Sequence, residues 1–177
     1  MIDRPAPQRT IQTARAMAAL LLTTFAALDA SAQSPATARY AVAIENELAN
    51  MGLVAHCESI SATRHRCTYP SRLATLKNSS TFALEYSDET DTVYFYVARF
   101  LVLLPEHPKT DAVLRHLMEL NAELLVGKFE WNARTGEVRL GAVLSTDSNF
   151  DRRAFRSIVR TLDMLTAQYL GPLRALR

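Results

Sequence analysis

Thr110-Asp-Ala-Val-Leu-Arg-His-Leu-Met-Glu-Leu-Asn-Ala-Glu-Leu-Leu-Val126 and the Gly127–Ser145 segment behind it decide the fold. On a helical wheel Val113, Leu114, Leu117, Met118, Leu120, Leu124 and Leu125 share one broad face, with Arg115, Glu119, Ala122 and Glu123 opposite. That pattern is an amphipathic helix lying on an apolar layer. Thr110 is the expected N-cap, Asp111 suits the positive end of the helix dipole, and Gly127 is the expected stop. The period then changes to two. Phe129 and Trp131 alternate with Lys128 and Glu130, which predicts a strand over Lys128–Asn132 and a second over Glu137–Leu144. Asn132 to Gly136 reads as the hairpin loop between them, with Gly136 supplying a positive φ.

Working outward, the chain has 177 residues and a formal net charge of +2. This length favours one domain, and so weak a charge selects no partner class. At the N-terminus Arg4, Arg9 and Arg15 precede an uncharged, mostly apolar run, Ala16–Leu28. Asp29-Ala-Ser-Ala32 then sets small residues before Gln33. This is the layout of a secretory signal peptide over residues 1–32, with the domain over 33–177. The expected address is the periplasm, with no stable membrane insertion after cleavage. Two cysteines remain, Cys57 and Cys67. In an oxidising compartment a disulfide between them is the leading expectation. With His56 and His65 they also make a candidate zinc set, but oxidised cysteines offer no thiolates to a metal.

Ser34 and Pro35 suit a helix start, and Tyr40, Ile44, Leu48 and Met51 recur at helical spacing, so a first helix is expected from about Pro35 to Met51. Leu53–Cys57 and Arg66–Tyr69 read as short strands around a polar loop, Glu58–His65. Thr81–Ser87 alternates. Thr92–Leu104 is apolar on both faces, interrupted by Arg99. A strand of that kind is covered twice, or covered once and used for association. Its Tyr94, Tyr96 and Phe100 are expected on one face as an aromatic stripe, which reads first as core and otherwise as a dimer or ligand surface. A last helix is expected from Ser148–Asp151 to about Leu170, stopped by Gly171-Pro172. Its Arg152, Arg153, Arg156 and Arg160 read as a solvated face. The fold class is therefore α+β, with an antiparallel-rich sheet covered by helices.

Asn121 falls inside the apolar arc of the central helix. A buried amide needs partners, so a structural hydrogen bond to a neighbouring backbone is expected. His107 and His116 sit in no nucleophile, metal or phosphate-loop motif, and no catalytic residue or cofactor site is nominated. Nucleic acid is an unsuitable partner for a nearly neutral domain. Two readings of different class follow. One is an exported, non-catalytic binding or adaptor module. The alternative is a small periplasmic hydrolase or ligand-binding protein, which would bring a histidine and a carboxylate together in a deep pocket.

Residues 92–170 resemble the YbjN-like family. The features that carry the likeness are a strand ending in Leu-Pro, Leu-Met-Glu-Leu-Asn-Ala-Glu-Leu-Leu, Gly-Lys-Phe-Glu-Trp, a glycine-centred turn, an alternating strand and a long final helix. That family is similar in fold to the class I chaperones of type III secretion, whose plan is α-β-β-β-α-β-β-α. The resemblance implies a protein-binding module with regulatory associations. Tyr94, Tyr96 and Phe100 would serve either a homodimer contact or an extended peptide of a protein partner.

Overall fold

The computed structural model describes residues 37–71 and 80–176. The expected export segment, with Ser34 and Pro35, lies outside them. In chain order the elements are α1 (Ala41–Asn50), β1 (His56–Ser61), β2 (Arg64–Pro70), β3 (Thr81–Ser87), β4 (Thr92–Val102), α2 (Thr110–Glu123), β5 (Lys128–Asn132), β6 (Glu137–Ser145) and α3 (Arg152–Leu176). The class is α+β as expected, with four strands rather than three before the central helix. The six strands form one antiparallel sheet in the order β1-β2-β3-β4-β6-β5. None of the helices among the described residues is long and apolar enough to cross a membrane.

The alternation in β3, β4 and β6 builds one buried layer. Phe82, Leu84 and Tyr86 pair in register with Val97, Phe95 and Val93. Val97 in turn pairs with Leu140. These side chains join Ile44 and Leu48 of α1, Val113 and Leu117 of α2, and Phe155, Val159 and Leu162 of α3 in a single core. α3 lies across β4 and β6, and α2 along β5. Charged and polar residues alternate with the core positions, so the opposite face of the sheet is left to them.

Several boundaries depart from the sequence expectations. β1 and β2 run to the tight Ala62-Thr63 turn, consuming most of the expected polar loop, because a hairpin recovers backbone hydrogen bonds that a long loop would forgo. Thr110 does not cap α2. Its hydroxyl donates to the Leu104 carbonyl at 2.7 Å, and Lys109 occupies the cap position. α2 ends before the expected Val126, since Leu124 is already extended. Leu125 consequently leaves the helical face and is 99% exposed, and Met118 is exposed on α2 itself. Gly171-Pro172 does not stop α3, which continues to Leu176 with Pro172 inside it. A proline inside a helix costs about 3 kcal/mol. Continuing the helix past Leu170 buries Leu173, which returns about 1.5–3 kcal/mol.

The largest correction concerns β4. Its register with β6 shifts between Val97 and Leu101. Arg99 there takes a positive φ of 49°, and its backbone N–H is caught by Glu137 Oε1 at 3.1 Å. This is a bulge that takes two extra residues, with four steps on β4 from Val97 to Leu101 against two on β6 from Leu140 to Val138, so Leu101 beyond it keeps the core side that Val97 holds. Phe100 lies inside the bulge, outside the strand's alternation, and turns into the core as well, 1% exposed, with its ring 5.4 Å from that of Phe129. It does not share a face with Tyr94 and Tyr96.

Candidate functional site

The face of the sheet that none of the described helices covers gathers a row of side chains from five strands. Strand alternation and register bring Arg66 opposite Glu85, Glu85 opposite Tyr94, and Ala83 opposite Tyr96. Further across, Tyr96 is opposite Gly141 and Arg139 is opposite Glu130. These are cross-strand neighbours, the unit from which sheets build side-chain interactions.

Tyr94 and Tyr96 stack with ring centroids 5.1 Å apart. The Tyr94 hydroxyl reaches over β6 and donates to Glu130 Oε2 on β5 at 2.5 Å. Gly141 makes that reach possible, because a Cβ there would stand 2.9 Å from the Tyr94 hydroxyl. The Tyr96 hydroxyl donates to Glu85 Oε1 at 3.1 Å. The same carboxylate receives Arg66 Nε and Nη2 at 3.1 and 2.9 Å and Arg64 Nη2 at 3.0 Å. The Arg139 guanidinium lies 4.9 Å over the Tyr96 ring and is held in a fork by both oxygens of Glu137. An arginine over an aromatic face is a cation–π contact, and the fork orients it. The expected open aromatic surface is thus a framed one. Tyr96 is 8% exposed, covered by charged arms that are themselves in solvent, and Tyr94 is half-buried.

Burial and the neighbouring charges set the protonation of this row. Burial, then the bond to Glu130, push the Tyr94 hydroxyl well above its ordinary range. Burial likewise raises Tyr96, reinforced by the Glu85 charge. For Glu85, burial pushes upward, but the hydrogen bonds from Arg66 and Tyr96 and the nearby arginine charges outweigh it, and its carboxyl is held low. The fork from Arg139 holds Glu137 low as well. At neutral pH the two tyrosines are protonated donors, and Glu85 and Glu137 are ionised acceptors.

Asn121 sits at the other end of the story. Its Nδ2 donates to the Phe129 carbonyl at 2.9 Å and its Oδ1 accepts from the Phe129 N–H at 2.7 Å. The side-chain amide thereby pairs the outer edge of β5 as a neighbouring strand would, closing part of an otherwise free edge. Cys57 and Cys67 are disulfide-bonded across β1 and β2. On α3, Arg156 pairs with the fully buried Glu47, and Arg152 lies 4.0 Å from it. That pairing, first through the Arg156 hydrogen bond, lowers the Glu47 carboxyl. The four arginines are therefore not only a solvated face.

Of the two histidines weighed for chemistry, His107 Nδ1 accepts from the Lys109 backbone at 3.3 Å. His116 borders a shallow groove with Lys109, Ala112, Val113 and Leu176. Its carboxylate neighbour Glu119, at 3.4 Å, lies one turn along the same exposed surface.

Sequence reading singled out Tyr94 and Tyr96 but not their neighbours Arg66, Glu85, Glu130, Glu137 and Arg139. Each reads as an ordinary outward strand position. Only the register, set by which strand lies beside which, brings them together.

A family model named YbjN and described as "Putative bacterial sensory transduction regulator" matches residues 71–174, more than half of the chain. No curated protein matches the sequence.

Proposed function

The chain belongs to the YbjN family, and on that premise we propose that it is an exported, non-catalytic adaptor that binds another protein through the helix-free face of its sheet. The observation that carries this reading is the Tyr94–Tyr96 stack held inside a frame of Arg66, Glu85, Arg139 and Glu137. Tyrosine and arginine dominate the residues that supply binding energy at protein interfaces. Here both are fixed in advance by hydrogen bonds, which lowers the entropy lost on association. The regulator description of the family favours a partner over a reaction.

A protein partner fits the face better than a small ligand. The face is broad, spans several strands and presents alternating charges, which discriminate between surfaces by complementarity. Main-chain pairing by an extended peptide is a weaker supplement. Asn121 occupies the β5 edge at Phe129, so such pairing falls to β1. The arrangement of Arg4, Arg9, Arg15, the apolar run and Ala30-Ser-Ala32 supports cleavage before Gln33 and a periplasmic address.

The test is capture of partners by the mature chain beside an Arg139→Glu variant. Reversing that charge sets it against Glu137 and Glu130 and removes the cover over Tyr96. The proposal expects the variant to remain folded and to lose the partners that the parent retains. Identical partners in both would overturn it. N-terminal sequencing of the exported protein should begin at Gln33, and full-length cytoplasmic protein would remove the export half of the reading.

A further inference from the structure

The disulfide lies in a setting that a structural crosslink does not require. Cys57 stands directly opposite Cys67 on the neighbouring strand. His65 is two residues before Cys67, so all three side chains share the helix-covered side of the hairpin. The two sulfurs and an imidazole nitrogen lie within 4.8 Å of one another. His65 is 3% exposed. Its Nε2 is 3.6 Å from Cys67 Sγ and 2.9 Å from Glu45 Oε1, which α1 supplies. Its Nδ1 is buried and has no hydrogen-bond partner among the described residues.

We propose that reduction of the Cys57–Cys67 bridge converts this cluster into a zinc site, with Cys57 and Cys67 as thiolates, His65 through Nε2 and the Glu45 carboxylate as the fourth ligand. Sulfur and nitrogen bound to one tetrahedral zinc at the usual bond lengths are about 3.6 Å apart, which is the distance already present between Cys67 and His65. Glu45 need only draw back slightly, and its half-exposed side chain is free to do so. Ligation at Nε2 moves the imidazole proton to Nδ1, and no existing hydrogen bond at Nδ1 is lost. Two thiolates, an imidazole and a carboxylate are a donor set that zinc accepts in tetrahedral geometry.

The chemistry balances with a dithiol reductant. Cys67 is fully buried and Cys57 only partly, so the reductant's thiolate attacks the Cys57 sulfur. The Cys57–Cys67 bond breaks and Cys67 leaves as a thiolate beside His65. The reductant's second thiol then displaces Cys57 and closes the reductant's own disulfide. Two electrons have passed to the protein. Zinc takes both sulfurs as thiolates, and any proton they picked up is released to solvent.

Cobalt(II) is the probe, because tetrahedral thiolate ligation gives it intense visible bands and a thiolate charge-transfer band. The phosphine-reduced mature chain should take up one cobalt with those bands and release it to zinc. The oxidised chain should show neither. His65→Ala should weaken the reduced chain's affinity by at least about tenfold and Cys67→Ser, which leaves one thiolate, should cut the charge-transfer band to about half or less, while Glu45→Ala weakens less because water can fill the fourth position. Zinc should also raise the unfolding temperature of the reduced chain and leave that of the oxidised chain unchanged. Equal uptake by the oxidised and reduced chains, or by reduced His65→Ala and the parent, would overturn the proposal. So would a reduced chain that neither binds zinc nor gains stability or structure from it.

Discussion

The Tyr94 hydroxyl donates to Glu130 across the whole width of β6, and it passes over the one residue of that strand that has no side chain to stop it, Gly141. β4 and β5 are thus tied through side chains although β6 separates their backbones.

Gly141→Ala should therefore destabilise the protein by about 1 kcal/mol, near the low end for overpacking, because what must move is the half-exposed end of a tyrosine. The cost should largely vanish in a Tyr94→Ser background. Urea unfolding of the two singles and the double measures this coupling. A Gly141→Ala cost that is the same with and without Tyr94 would show that the close approach is immaterial.

Asn121→Leu should cost about 1–3 kcal/mol, since it leaves the Phe129 N–H and carbonyl without the amide that pairs them. Partner binding at the far face should be unchanged. Thermal denaturation and a binding titration on the same variant separate the two effects. Full stability with lost binding would make Asn121 a contact residue instead.

Much of the scaffold was legible in the sequence, and the reasons are local. The hairpin announced itself through Asn132, Gly136 and the switch of period at Lys128, and β3 through its strict alternation. The Cys57–Cys67 bridge followed from two cysteines in a chain that reads as exported. The bulge at Arg99 was hidden because β4 is apolar on both sides, so two residues dropped from the ladder leave no scar in the pattern. Phe100 was misplaced for that reason alone. The end of α3 was misread because Pro172 is a strong local signal, overruled by tertiary burial of Leu173. The charged frame around Tyr96 was illegible because β6 inserts between β4 and β5. Placing Arg139 beside Tyr96 requires that strand order, which no short-range pattern encodes.

Replacing both Cys57 and Cys67 by serine should lower stability by about 2–3 kcal/mol, the chain-entropy value for closing a loop of this length, given a sequence separation of 10. Denaturant unfolding of oxidised parent against the double variant reads it directly. No difference would place the unfolded hairpin in an already compact state.

Acid should weaken the fold through Glu47. Its folded carboxyl is held below the ordinary value of 4.5, first by the Arg156 hydrogen bond. A depressed carboxyl contributes stability that is complete above its unfolded pKa and is lost as pH falls through the folded one. The unfolding temperature should therefore drop as pH is lowered below about 4.5, in line with that carboxyl's ordinary titration range. Glu47→Gln should be less stable at neutral pH and flatter below it. An identical acid slope in parent and variant would assign the acid sensitivity elsewhere.

The most direct test of a binding face at the Tyr94–Tyr96 stack is the paired substitution Tyr94→Ser with Tyr96→Ser, followed for secondary structure, unfolding and complex formation in the same preparation. Arg139→Glu is carried alongside as a variant that leaves both rings in place. The account predicts that the paired variant folds with reduced stability and forms none of the parent's complexes, and that Arg139→Glu folds and loses them too. Folded variants that keep every complex of the parent would contradict it.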